Sequence, residues 1–455
     1  MQFIKNALRV VFSNLILLLS NVVLGLILPT FLSVESYGEY RLFLFYAGYI
    51  GLLHFGFIDA MYLKYGGINR DLVNKQVLRK EHDVFFLYQL AIATIIFLGA
   101  FLFKNIFYIL FALSVLPLNV GSFHKLFYQA TGQFKKYSYI SITSTLINLL
   151  LISLLLFFRE RSATSYILFT VVTYLIVYII MEVDFYKYTR GIKAKGQVSI
   201  LKYNKVGIFI LVGNICVLLI SSIGSWIVQL FFGIKNFAYY SFAVSMMNMV
   251  LLIINGVGLT FYNYIAKNED KDTLILIKDI LLIIGALAGC IYFILDFIVK
   301  LLLSKYEVAL SIIAISFTTF PYLMVINVII LNIYKARKQE KKYLKVVLTV
   351  FVVGIILNGL AFLLFRSMDS IAFATLLSYI VWYIYSIFID FNYLKGTKRE
   401  IFFLEVHGIT FLISANYFTW YYGLLFYFCI MFLLSIVLYR KSIAWLLSKI
   451  KNTKN

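Results

Sequence analysis

Between positions 41 and 64 the chain sets Arg41, His54, Asp59 and Lys64 into a stretch that is otherwise apolar, aromatic or glycine. On one straight helix, turning about 100° per residue, Arg41, Gly48 and Asp59 share nearly one azimuth, with Gly51 and Gly56 flanking them. The stripe thus carries an arginine, three glycines and an aspartate, while Leu42, Leu44, Leu53 and Phe57 lie largely off it. Small residues let helices approach closely. An aspartate is different, since it costs at least about 2.5–3.5 kcal/mol at the centre of a membrane helix. Asp59 must therefore face a wet cavity, or pair with a partner such as Lys64. His54, on the flank of the stripe, either bonds a neighbouring group or carries protons. It joins Asp59 as a candidate for cation or proton coupling. A second polar group lies in LPLNVGSFHK, with Pro117, Asn119, Ser122, His124 and Lys125. Lys125 either snorkels to the interface or forms an anion site facing a lumen.

The motifs of covalent chemistry are missing. No GxxxxGK[ST] loop is present to hold nucleotide phosphates, and no G-x-S-x-G elbow. The four histidines, His54, His82, His124 and His407, are too scattered in sequence to suggest a metal site. Cys216, Cys290 and Cys429 form no CxxC pair and sit in apolar runs, as packing thiols do. No cofactor, no metal and no enzymatic activity are expected.

What must position these residues is a set of membrane helices. Of 455 residues, 62% are hydrophobic and 13% charged, and the mean hydropathy is +0.93. A soluble chain of this composition would expose far more apolar surface than monomers tolerate. At about 20 residues per span the apolar content suffices for about fourteen. Runs between charged breaks place them at 10–32, 41–63, 84–103, 106–127, 139–158, 164–183, 207–232, 237–262, 274–299, 308–333, 344–365, 370–391, 402–420 and 423–438. The first reads as a retained signal-anchor. Continuous apolarity, without polar alternation, favours helices over a membrane barrel.

The net charge of +21 suits anionic lipid headgroups rather than nucleic acid. With the N-terminus inside, 31 of the 41 Lys and Arg fall in inner segments and eight in outer ones, while Lys125 and Lys278 lie within spans. Under the positive-inside rule both termini are cytoplasmic. No outer loop exceeds about ten residues, too little for an external catalytic domain.

An internal repeat is visible. YQATGQFKKY at 128–137 and YKARKQEKKY at 334–343 match at six of ten positions, and each joins the fourth helix of a half to the fifth. Pro117 and Pro321 precede the two copies; with Pro29 they are the chain's prolines, and a kink is expected at each. The organisation expected is an N-terminal six-helix lobe (1–183), a cytoplasmic linker (184–206), a second six-helix lobe (207–391), and two additional helices with a basic tail (392–455). Such paired repeats are a transporter architecture.

The segment SVESYGEYRLFLFYAGYIGLLHFGFIDAMYLKYGG (33–67) resembles the Wzx-type oligosaccharide flippases of the multidrug/oligosaccharidyl-lipid/polysaccharide exporter superfamily, as do YQATGQFKKYS and FAYYSFAVS at 237–245. The resemblance implies two lobes around a central cavity and alternating access in a bacterial inner membrane. Its implied cargo is an undecaprenyl-pyrophosphate-linked oligosaccharide, moved to the outer leaflet for surface polysaccharide such as O-antigen and lipopolysaccharide. Expected partners are that lipid-linked substrate, membrane lipids and other polysaccharide-assembly proteins. In such a role Arg41, Lys64 and Lys125 would meet the pyrophosphate, and Asp59 sugar hydroxyls or a coupling cation. Helix seven departs from the family: SSIGSWIVQ, with Gly224 and Ser225, stands where many relatives carry an acidic–basic pair. The alternatives are a small-molecule or drug antiporter of the same superfamily, and a membrane glycan polymerase.

Overall fold

The computed structural model describes residues 17, 19–267, 270–337 and 339–452. Among them all regular structure is helical, as lipid requires when no water is at hand to satisfy backbone groups. The helices are α1 (Leu19–Phe31), α2 (Val34–Ala47), α3 (Phe57–Tyr65), α4 (Lys75–Leu102), α5 (Ile106–Ala130), α6 (Phe134–Phe157), α7 (Ala163–Tyr188), α8 (Ile200–Phe231) and α9 (Gly233–Lys267). Beyond them lie α10 (Lys271–Ala288), α11 (Ile291–Leu302), α12 (Ala309–Phe317), α13 (Phe320–Tyr334), α14 (Glu340–Phe365), α15 (Met368–Tyr385), α16 (Lys398–Tyr417), α17 (Trp420–Leu438) and α18 (Arg440–Asn452).

Each of the fourteen expected spans overlaps a helix. Among the described residues nine are long and apolar enough to cross a membrane, or eleven if each of two bent pairs is one span. The protein is an all-α, multi-pass membrane protein. The remaining three segments correspond to the short α1, to α9, and to α16 with its Glu400, Glu405 and His407. Residues 10–16 and 18 of the expected signal-anchor lie outside the described residues.

The chain forms two compact units, 1–215 and 216–455. In the first, Phe57 stacks on Phe85 at 4.8 Å and on Tyr203 at 4.7 Å, and Phe85 lies against Phe123 at 5.8 Å. This aromatic column binds α3, α4, α5 and the start of α8 by van der Waals packing, the force that joins helices where lipid is as apolar as the rings. Much of the expected linker is helical, since 184–188 close α7 and 200–206 open α8. The stretch between is tied down where Lys195 N–H donates to the Gln76 carbonyl, and at its start Tyr188, the last residue of α7, donates to that of Arg70.

The expectation of one straight helix over 41–63 is overturned. Helix α2 ends at Ala47, a short 3-10 turn covers Ile50–His54, and α3 departs at 66°. Phe55 and Gly56 both take left-handed backbone, φ 50° and 88°, which ends an α-helix. The prolines differ from one another. Pro321 opens α13, bent 47° from α12, and Pro29 follows a π-helical turn at Val23–Ile27. Pro117 lies inside the continuous α5.

Candidate functional site

The break at His54–Gly56 leaves backbone groups that lipid cannot satisfy, and the surrounding side chains supply partners. His54 Nδ1 accepts the Gly56 N–H at 3.1 Å. The Leu53 carbonyl accepts from Gln89 at 3.2 Å, and Gln89 is itself held by Asn119 at 2.7 Å. His54 is therefore a local brace whose Nδ1 is already occupied as an acceptor. Asp59 sits in the first turn of α3 with 7% exposure, where the helix N-terminus favours a carboxylate. Its Oδ2 is buried without a hydrogen bond and lies 3.9 Å from His54 Nδ1.

With the helix broken, the continuous Arg41–Asp59 stripe no longer exists, because an azimuth is shared only along one axis. The glycines divide as well. A Cβ on Gly51 would meet nothing within 4 Å, whereas Gly56 packs backbone to backbone on Gly207 of α8. A Cβ on Gly207 would stand 1.8 Å from the Gly56 carbonyl oxygen. Gly56 is thus a packing glycine at a close crossing and leaves no open track. Arg41 lies half-buried on α2, with its Nε buried and unbonded. Lys125 is half-buried on α5.

Lys64 does not pair with Asp59. It pairs with the fully buried Glu81, which also accepts from Tyr203 and, at 2.6 Å, from Tyr65. Lys64 remains exposed and reaches the Tyr203 hydroxyl at 3.1 Å. Together with Lys202, Gln197, Ser199 and Tyr203 it lines an open pocket of about 830 Å³. Lysines there leave a cationic, partly aromatic wall suited to a phosphate-bearing group.

Dispersal in sequence does not keep the histidines apart. His82 of α4 and His124 of α5 both approach Oε1 of Glu182 on α7, with Nε2 at 3.0 and 3.2 Å. Their rings are 5.3 Å apart, and all three residues are buried. No local spacing signals this, because His82 and Glu182 are 100 residues apart.

The repeated loops prove to be parts of larger matching clusters. In the first unit Asp184 accepts from Tyr128 at 3.0 Å and from Lys136 at 2.8 Å. In the second, Asp390 accepts from Tyr334 and pairs with Lys342 at 3.1 Å. In both, the tyrosine precedes the aspartate by 56 residues and the lysine by 48. The sequence carried the signal, since VDF at 183–185 and IDF at 389–391 stand at the same offset as the loops.

In the second unit a Cβ on Gly224 would lie 2.0 Å from the Tyr240 hydroxyl. Glycine there leaves room for a tyrosine at the position where the resembled family often carries a charge pair. On α10, the buried Lys278 pairs with Glu400 of α16 and donates to the Leu394 carbonyl at 2.6 Å, and Glu400 also accepts from Tyr383.

No family model matches the chain, and no curated protein matches it in sequence. Solved structures do. The lipid II flippase MurJ, in an inward closed conformation, aligns over 97% of this chain and 100% of its own, with TM-score 0.62 and 15% identity. An inward-facing multidrug resistance MATE family transporter of the MOP superfamily aligns over 85% of this chain and 96% of its own, with TM-score 0.54 and 12% identity. The likeness is one of fold: the chain shares its multi-helix architecture with these two proteins. Both of those proteins are transporters rather than enzymes.

Proposed function

We propose that the chain is a flippase that carries an undecaprenyl-pyrophosphate-linked oligosaccharide from the cytoplasmic to the outer leaflet of a bacterial inner membrane, for surface polysaccharide such as O-antigen. The observation that carries the reading is the fold shared along the whole of MurJ. Two pseudo-repeated six-helix lobes, 1–183 and 207–391, would alternate access around a central cavity, with the helices of 392–455 trailing and both termini cytoplasmic. The twin Tyr–Asp–Lys clusters support the duplication. The broken second helix supports a transport role, because transporters of several folds aim the N-terminal end of a half-helix at anionic or coupling groups.

In this reading no bond is made or broken. The polyprenyl tail stays in lipid while the glycan and pyrophosphate cross a wet path. Lys64 and Lys125 meet the pyrophosphate towards the inner side and Arg41 towards the outer. Asp59, with its unbonded oxygen, binds sugar hydroxyls or a coupling cation. Coordination with other polysaccharide-assembly proteins would follow from that place in synthesis. The test is depletion in the native cell, which must trap lipid-linked oligosaccharide in the inner leaflet and leave the surface polysaccharide short.

The fold shared with the MATE transporter favours a second reading, a drug antiporter. Depletion would then sensitise cells to lipid-free compounds and leave the surface glycan unchanged.

A further inference from the structure

We propose that His82, His124 and Glu182 form a binding site for a divalent transition-metal ion within the first unit. Two imidazoles and a carboxylate are the donor set of zinc-type sites, and here they come from three different helices, α4, α5 and α7. The donor atoms all lie within 4.8 Å of one another. The two nitrogen–oxygen separations, 3.0 and 3.2 Å, approach the ~3.3 Å edge of a tetrahedron whose bonds are about 2.05 Å.

Three further observations favour a cation over a purely hydrogen-bonded triad. Both imidazoles turn Nε2 towards the same oxygen, while Glu182 Oε2 is buried and makes no hydrogen bond. A lone pair of a buried carboxylate oxygen is thus left without a hydrogen bond, which is costly unless it is used. His82 also directs its other nitrogen at Asp83 Oδ1, 3.2 Å away, the carboxylate–histidine contact that fixes the orientation of a metal-binding imidazole. Finally, the charges of Glu182 and Asp83 balance a dication when both imidazoles are neutral. Phe185, with its ring 4.3 Å from that of His82, and Phe123, at 5.7 Å, wall the cluster. Glu182 also lines an open groove of about 590 Å³ with Phe86, Tyr178 and Tyr186, and this gives an ion a way in.

The site is independent of the cargo, so its test does not use transport. The full chain, purified in detergent without a polyhistidine tag and freed of metal by chelation, is titrated with Co²⁺. The expected result is one saturable Co²⁺ per chain, with visible ligand-field bands that Zn²⁺ abolishes by displacement. His82→Ala, His124→Ala and Glu182→Gln should each weaken binding at least about tenfold, and Asp83→Asn about tenfold. His407→Ala should leave it unchanged. If a variant fails to fold, the wild type still decides: electron paramagnetic resonance of its Cu²⁺ complex must show coupling to two imidazole nitrogens. Wild-type protein that binds no Co²⁺ overturns the proposal. So does Co²⁺ binding that survives in a folded His82→Ala, His124→Ala double variant, or a Cu²⁺ signal without nitrogen coupling.

Discussion

The hydroxyl of Tyr128 donates to the carboxylate of Asp184 at 3.0 Å, tying the end of α5 to the end of α7. The same bond recurs between Tyr334 and Asp390, with a lysine of the following helix closing each cluster. The environments differ. The Asp184 side chain is 36% exposed and that of Asp390 only 5%. Exposed ion pairs contribute about 0–1 kcal/mol, whereas disturbing a buried carboxylate's hydrogen bonds costs about 1–3 kcal/mol. Asp390→Asn should therefore lower the thermal unfolding midpoint in detergent clearly more than Asp184→Asn. Equal shifts would show that burial does not set the strength of these clusters.

The Gly56–Gly207 crossing predicts a graded series. Gly207→Ala places a Cβ where the Gly56 carbonyl oxygen already stands, so α3 and α8 must part and the Phe57–Tyr203 stack with them. Overpacking of this kind costs typically about 1–3 kcal/mol, and more against rigid backbone. Gly56→Ala adds a left-handed backbone penalty of roughly 1–2 kcal/mol. Gly51→Ala meets open space and should be neutral. Yield of monodisperse protein on gel filtration ranks the three. A well-behaved Gly207→Ala protein would contradict the crossing.

Lys278 and Glu400 are buried in the second unit, with side chains 2% and 4% exposed. Removing one member strands the other charge, at about 3–5 kcal/mol. Lys278→Ala should thus be among the most destabilising single changes. Lys278→Met combined with Glu400→Leu should recover much of the loss, because no lone charge remains. Thermal unfolding of the single and double variants checks this, and a double variant no better than the single would count against it.

How much of this was legible in the sequence depends on the reach of each feature. The helices were readable because each announces itself over about 20 consecutive apolar residues. Pro321 marked a real bend for a local reason, its missing N–H. The repeat is only half legible: the basic loops are evident, while VDF and IDF, whose aspartates complete the clusters, pass for ordinary helix ends unless the offset is carried forward. The break at His54–Gly56 hides in hydropathy, since Leu52, Leu53, Phe55 and Phe57 keep the run apolar. It exists because tertiary partners, Gln89 for the Leu53 carbonyl and Gly207 for Gly56, make a left-handed Phe55 tolerable. Three side chains from three helices, His82, His124 and Glu182, cannot be joined by local spacing at all.

Asp59 is the residue on which the proposed path most depends. One buried carboxylate oxygen, Oδ2, makes no hydrogen bond, in contrast to His54 Nδ1, which braces the break. Asp59→Asn should keep the protein folded and inserted while reducing glycan export. His54→Ala should instead lower stability by about 1–3 kcal/mol, by stranding the Gly56 N–H. Export assays beside unfolding curves separate the two. Normal export by Asp59→Asn would remove this residue from the path.

The central claim is movement of a lipid-linked glycan across the bilayer. Proteoliposomes holding the purified protein and a fluorescent undecaprenyl-pyrophosphate-linked oligosaccharide, challenged from outside with an impermeant glycosidase, measure it directly. The account predicts that the cleavable fraction rises beyond the outer-leaflet share seen in protein-free vesicles, while entrapped lipid-free drugs are retained. A cleavable fraction that stays at the outer-leaflet share, with the drugs released, would contradict it.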